Sequence, residues 1–405
     1  MKKVLAMVLA GGRGERLYPL TRDRAKPAVP FAALYRIIDF TLSNCVNSGI
    51  RRIYILTQYK SLSLDRHIQM GWNILSMRMG EFINVIPAQQ RINESWYQGT
   101  ADAIFQNIYT LQQERPDLVL VLSGDHVYKM DYRALIEQHL KKKADLTFTT
   151  IAMDKKYCRE FGVVQIDKDS RVIGFQEKPE APNTLPDNPD AILINLGVYV
   201  FNTEILVKRL IDNAKNKDTE HDFGKNIIPR MIAKDRVFAF PLIDNKTGQP
   251  GYWRDVGTLD AYWEASMDML TSHPSVDIYD AAWPILTDEE ISAPAKIEGF
   301  REKDGIMYGS VFNSIISQGC IVRSGHVSES ILSPNVTVDE YATVKNSILM
   351  NDVQVGKNCH IKRTIVDKGV RIPQGTKVGY HPENDKKRFT VTDSGIVVIG
   401  KGAAF

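Results

Sequence analysis

The chain has little of several things that would settle its class at once. Its four cysteines, Cys45, Cys158, Cys320 and Cys359, lie far apart with no CxxC pair. That spacing speaks against a disulfide framework or a cysteine zinc site and suits a reducing cytosol. No apolar run approaches the roughly 20 residues needed to cross a bilayer. The start, Met1-Lys2-Lys3 and then apolar residues to Ala10, imitates a secretory leader. It ends in Gly-Gly-Arg-Gly with no small-residue cleavage pattern, so a soluble cytoplasmic protein is expected. Charge of one sign is missing too: 51 basic against 48 acidic residues leave a net +3. Bulk charge therefore gives no reason to expect nucleic acid or membrane as a partner. With only 18 prolines and 43% hydrophobic residues there is material for packed cores and no mark of disorder. A chain of 405 residues is expected to divide into two domains.

Two well-known phosphate loops are absent as well. Neither GxGxxG nor GxxxxGK[ST] occurs at the start of the chain, which leaves a dinucleotide fold and a P-loop unsupported. What stands there is VLAMVLAGGRGERL, residues 4–17. A short apolar run that stops at Gly11-Gly12-Arg13-Gly14 reads as a buried strand delivering a cationic loop to a sheet edge. Glycine amides can approach an anion closely, and Arg13, Arg16 and, a few residues on, Lys26 supply charge. A glycine-rich surface turn is the plainer alternative.

Strand and helix patterns then alternate: a helix within 39–49, a strand at 51–57, a helix at 101–113, a strand at 118–122 and a helix at 132–142. Such alternation predicts right-handed βαβ units and a parallel sheet covered on both faces. From about residue 145 the texture turns β-rich, with strands at 146–152, 162–166, 171–177 and 196–201, and a helix at 259–270 closes the first domain. The fold class expected is α/β, with a Rossmann-like mixed and mostly parallel sheet in residues 1–271. A linker is expected at 272–308. In the last hundred residues apolar positions recur six apart, as in Ile321 and Val327, Val338 and Val344, Cys359 and Ile365, Ile372 and Val378. Six is the period of a hexapeptide β-helix, expected at 309–405. A β-sandwich of irregular strands is the alternative.

Chemistry-bearing residues follow strands. In LVLSGDHVY the carboxylate of Asp125 comes just after a strand, where open α/β sheets bind ligands. A helix cap is the other role for such an Asp. Asp255, in YWRDVG, is a second carboxylate flanked by glycine and aromatics. Two carboxylates that leave room for phosphate oxygens suit Mg²⁺, and Asp125 with Asp255 is the candidate metal pair. Glu177-Lys178-Pro179 could offer a carboxylate to sugar hydroxyls and an ammonium to a second phosphate, or be a surface ion pair. Trp96 to Thr100 opens a helix whose start could border a ligand. His126 has no Ser or Cys nucleophile pattern beside it and is read as structural.

Taken in order, AGGRGERL with AKP, PAQQR, WYQGTADA, SGDHVYKMDY, FGVV, FQEKP, HDFGKNIIP and YWRDVGT resemble the ADP-glucose pyrophosphorylases of bacterial glycogen synthesis. The resemblance covers essentially the whole chain. It implies a nucleotidyltransferase domain that makes ADP-glucose and pyrophosphate from ATP and glucose 1-phosphate, followed by a left-handed β-helix. It further implies Gly11, Gly12, Arg13 and Lys26 at the nucleotide phosphates, Gln89 near the base, and Mg²⁺ on Asp125 and Asp255. Tyr97, Gly162, Glu177 and Lys178 would meet glucose 1-phosphate. A homotetramer answering to sugar-phosphate or nucleotide effectors is implied as well. There are two departures. Leu34 stands where many members carry a lysine, leaving Arg36 as the nearby regulatory cation, and Asn195 replaces a usual serine beside the sugar. Alternatives are a pyrophosphorylase for another nucleotide or sugar phosphate, or a regulatory paralogue without activity. The metal carboxylates and loop cations, all present, speak against the paralogue.

Overall fold

The computed structural model describes residues 2–89, 95–216, 218–244, 247–272, 274, 276–288, 291–302 and 305–405. Gln90 and Arg91 of PAQQR, and residues 273, 275, 289–290 and 303–304 of the expected linker, lie outside the described residues.

The first strand, Val4–Ala10, is apolar at every position because both its faces are covered. It pairs in parallel with Arg52–Thr57 on one side and Leu118–Ser123 on the other. Successive side chains point to opposite faces. Ala6 and Val8 therefore enter one core with Ile53, Ile55, Leu120 and Trp72, while Leu5 and Met7 enter a second with Val119, Val121, Phe148 and Phe201. The nine-stranded sheet runs outward from this centre, to Phe82–Pro87 on one edge and to Ala191–Asn202, Gly162–Ile166 and Val172–Glu177 on the other. Leu146–Asp154 pairs antiparallel with Ala191–Asn202 and parallel with Val237–Pro241. The expected mixed, mostly parallel sheet is present.

Several elements depart from the pattern read in the sequence. The single helix expected at 101–113 is two, Thr100–Phe105 and Ile108–Glu114. At the break Asn107 turns its amide onto the Ala103 carbonyl at 2.8 Å and onto the Tyr97 hydroxyl at 2.9 Å. Such back-bonding competes with the helical ladder. The strand expected at 196–201 begins at Ala191, and its register shifts between Asn195 and Tyr199, where Gly197 takes φ +74°. Helices Leu62–Gly71 and Thr203–Ala214 and the edge strand Phe82–Pro87 were not read from the sequence at all.

The C-terminal part is a left-handed parallel β-helix, and the sandwich alternative falls. Three parallel sheets form its sides, with inward ladders such as Val322, Val338, Val355 and Ile372 on one and Val327, Val344, Ile361 and Val378 on another. The six-residue spacing had picked Ile321, whose neighbour Val322 is the buried one. Asn313, Asn335, Asn346 and Asn358 all have positive φ. Asn tolerates that left-handed region better than most residues, which explains its recurrence at the corners. Lys296–Glu298 already pairs in parallel with Ile321–Arg323. One apolar cluster joins the coils to the first part of the molecule, packing Leu17, Leu20, Phe31 and Tyr262 against Ile348, Met350, Ile365 and Val398.

Candidate active site

Three parallel strands, Val4–Ala10, Arg52–Thr57 and Leu118–Ser123, end at one edge of the sheet and open a cleft of about 680 Å³. Gly11, Gly12, Arg13, Arg16, Lys26, Tyr97, Asp125 and Asp255 all line it. Of the loop glycines only Gly14 has positive φ, +65°, and a Cβ there would stand 3.1 Å from the Lys26 Cβ. That residue lets the loop fold back onto the lysine. Arg13 is exposed and leans 4.9 Å over the Tyr59 ring, with a hydrogen bond of 3.3 Å to the Tyr59 hydroxyl. It also pairs with Glu15 at 3.5 Å.

The centre of the cleft is an ion triad. Lys26 Nζ lies 2.8 Å from Asp125 Oδ2 and 2.6 Å from Asp255 Oδ1, with only 8% of its side chain exposed. The sequence suggested a cation beside the loop, and the structure buries it. Burial alone would lower the Lys26 pKa, but the two carboxylates outweigh it and the pKa is raised. Asp125 is held below the usual carboxylate range: burial opposes its charge, and Lys26, aided by His126 and the Ser123 hydroxyl, overcomes it. Arg16 comes within 3.9 Å of Asp255. The Lys26 ammonium and the Asp125 carboxylate are therefore charged together across ordinary pH.

His126 belongs to this centre more closely than its structural reading implied. The short strand His126–Tyr128 pairs antiparallel with Trp253–Asp255, setting His126 opposite Asp255. One ligand atom each of Asp125, His126 and Asp255 can be chosen so that all lie within 4.8 Å of one another. The His126 ring packs edge-on to Trp253, and its buried Nδ1 has no hydrogen-bond partner among the described residues. Two carboxylates beside an imidazole whose Nε2 lies 3.6 Å from Asp125 Oδ1 are a donor set that fits a divalent cation.

Of the expected sugar residues Tyr97 lines the cleft, whereas Gly162, Glu177, Lys178 and Asn195 stand outside its lining. Glu177 lies between Gly162 and Gly224: a Cβ on either would come 3.0 or 2.7 Å from its Oε2. Burial first, then Asp222, raises the Glu177 pKa. Lys178 is exposed and takes φ +47° at the strand end. Asn195 is half-buried, donating to the Tyr199 hydroxyl at 2.9 Å and accepting from the Gly197 amide at 3.1 Å. Gln89 is exposed and borders a separate pocket of about 270 Å³ with Gln106, Asn107 and Tyr109, sharing only Tyr97 with the cleft. Arg36 reaches the Ser63 hydroxyl at 2.9 Å and the Ala28 carbonyl at 3.3 Å, behind Lys26.

Sequence reasoning missed the residues that close the cleft. Tyr59 and Gln58 line it, as does Thr100 of the stretch expected to border a ligand. Thr100 donates to Asp222 at 2.9 Å, and Asp222 in turn accepts from the amides of Gly224 and Lys225. The HDFGK stretch was seen as a motif without a role, and its tie to Thr100, more than a hundred residues away, left no local signal.

Residues 5–272 match the nucleotidyl transferase family and residues 293–399 the GlmU-like C-terminal hexapeptide family. The chain is 49% identical to the glucose-1-phosphate adenylyltransferase of Rhodopirellula baltica, over 99% of this chain and 91% of that protein. It is 49% identical to the Koribacter versatilis enzyme of the same name, over 98% and 95%, and 46% identical to that of Methylococcus capsulatus, over 98% and 93%.

Proposed function

The chain belongs to the glucose-1-phosphate adenylyltransferase family, and on that premise we propose that this cleft is where ATP gives its adenylyl group to α-D-glucose 1-phosphate. The enzyme is a nucleotidyltransferase that yields ADP-glucose and pyrophosphate, serving glycogen synthesis in the cytoplasm. The observation that carries the reading is the Lys26–Asp125–Asp255 triad at the mouth of the glycine loop.

An oxygen of the sugar phosphate bonds to the α-phosphorus as the bond from that phosphorus to the β-phosphate oxygen breaks. Pyrophosphate leaves as an anion, so no covalent enzyme intermediate is required. The task is to bring two anions together in line. Gly11 and Gly12 amides and the Arg13 guanidinium meet the triphosphate, and Gln89 lies toward the base. Arg13 and Lys26 hold the departing pyrophosphate, and Lys26 also favours the ionised form of Asp125. Lys178 holds the sugar phosphate, while Tyr97, Gly162, Glu177 and Asn195 border the sugar. Asp125 and Asp255 hold Mg²⁺, which when bound supplies charge neutralisation at the α-phosphate. Residues 1–271 carry the reaction, 272–308 connect apart from the strand Lys296–Glu298, which already joins the β-helix, and 309–405 form the rest of that β-helix. Four copies assemble, and sugar-phosphate or nucleotide effectors act near Arg36.

The test is pyrophosphate release over an array of nucleoside triphosphates and sugar 1-phosphates. ATP with glucose 1-phosphate should give the highest kcat/KM; a better pair would replace it as the substrate assignment.

A further inference from the structure

Lys26 does not hold its place through the cleft alone. Two residues before it Arg24 is buried, and its Nη2 donates to Asp367 Oδ1 of the β-helix at 2.8 Å, with side-chain exposures of 7% and 2%. Asp367 is fixed in turn: its amide donates to the Ile399 carbonyl at 2.9 Å, and the same Oδ1 accepts from the Lys368 amide at 2.7 Å. Between Arg24 and the glycine loop the chain is clamped. Thr21 donates to the Gly14 carbonyl at 2.8 Å, Lys60 Nζ to the Thr21 carbonyl at 2.8 Å, and the Ala25 amide to the Lys60 carbonyl at 3.2 Å. Arg24, Lys26 and Gly14 thus belong to one hydrogen-bonded segment.

The apolar cluster between the two parts of the molecule can attach them without any charge. A buried ion pair adds little attachment beyond what apolar groups give, because desolvation offsets its attraction. What it adds is direction. We infer that Arg24 and Asp367 are positioning residues through which the β-helix sets the place of Lys26 against Asp125 and Asp255. This rests on Lys26 acting in the reaction as proposed above.

The test uses the full-length enzyme with three changes: Asp367→Asn, Arg24→Lys, and the double variant Arg24→Met with Asp367→Leu. The double variant removes both charges and leaves none buried unpaired, so it keeps the inference testable should a single variant fail to fold. Steady-state kinetics are read at a temperature where circular dichroism shows each protein folded. Misplacing a reacting group by about 1 Å can cost about a hundredfold. The inference predicts a fall of at least about tenfold in kcat/KM for ATP in Asp367→Asn and in the double variant. Arg24→Lys, which keeps the charge, should recover part of it. Kinetics within about twofold of the parent in the folded double variant would overturn the inference. Lys26→Gln, run alongside, separates the two readings. If it retains turnover, the role of Lys26 itself fails. If it is inactive while the double variant is normal, only the positioning role fails.

Discussion

At the scale of single residues the account turns on charge held in a confined place. Asp125 and Asp255 face one ammonium between them. Replacing Asp125 by Asn leaves Lys26 paired with Asp255, so the fold should persist. Turnover should fall on the order of a hundredfold or more, the scale of a lost preorganised electrostatic group. Melting curves beside pyrophosphate release would check this, and near-normal turnover would remove Asp125 from the reaction. A second residue reports on stability rather than chemistry. His139 is buried, with Nδ1 at 2.9 Å from the Thr147 hydroxyl and Nε2 without a partner among the described residues. Burial pushes its pKa down to about 4. Unfolded, it would titrate near 6.5. Between those values the unfolded chain binds a proton that the folded one refuses, so stability should fall as pH drops from about 6.5 toward 4, by about 3 kcal/mol in all. Denaturant melts across that range on the parent and on His139→Gln would show it; an unchanged slope in the variant would assign the loss to other groups.

At the scale of elements the site depends on contacts between segments far apart in sequence. Gly99 caps the short helix Thr100–Phe105, and a Cβ there would come 2.4 Å from the backbone carbonyl oxygens of both Glu220 and His221. Those are main-chain atoms and cannot swing aside. Gly99→Ala should therefore cost about 1–3 kcal/mol, as overpacking does. It should also raise the KM for glucose 1-phosphate by displacing Asp222 and Glu177, whereas Gly12→Ala, with nothing within 4 Å, should leave stability nearly unchanged. Thermal melts and a glucose 1-phosphate titration on both variants would decide it. This is also where legibility in the sequence ends. Period and composition revealed the parallel strands and the β-helical coils, because those signals are local. Asp125 could be singled out because it follows a recognisable strand, and Asp255 because glycine and aromatics flank it. The Asn107 helix break, the Thr100–Asp222 bond and the burial of Lys26 all depend on partners remote in the chain. No window of neighbouring residues contains them.

At the scale of the whole molecule the β-helix is a brace as well as an appendage. Trp263 donates to the Asn346 carbonyl at 3.2 Å, and Arg363 lies 4.7 Å over the Trp263 ring, so the helix Leu259–Asp268 that follows Asp255 is fastened to the coils. Arg24 fastens the Lys26 side. Two members of the triad are thus backed by the same domain. The assembly proposed for the family is a separate matter, and light scattering on the eluted protein should give four times the 45.8 kDa chain mass; a monomer peak would overturn it.

The central claim is that the cleft joins ATP to glucose 1-phosphate through the triad. The most direct measurement is ADP-glucose formation by mass spectrometry from ATP and glucose 1-phosphate with Mg²⁺, in the parent and in Asp125→Asn. The account predicts rapid ADP-glucose and pyrophosphate in equal amounts from the parent and almost none from the folded variant. Equal product from both, or no ADP-glucose from the parent, would contradict it.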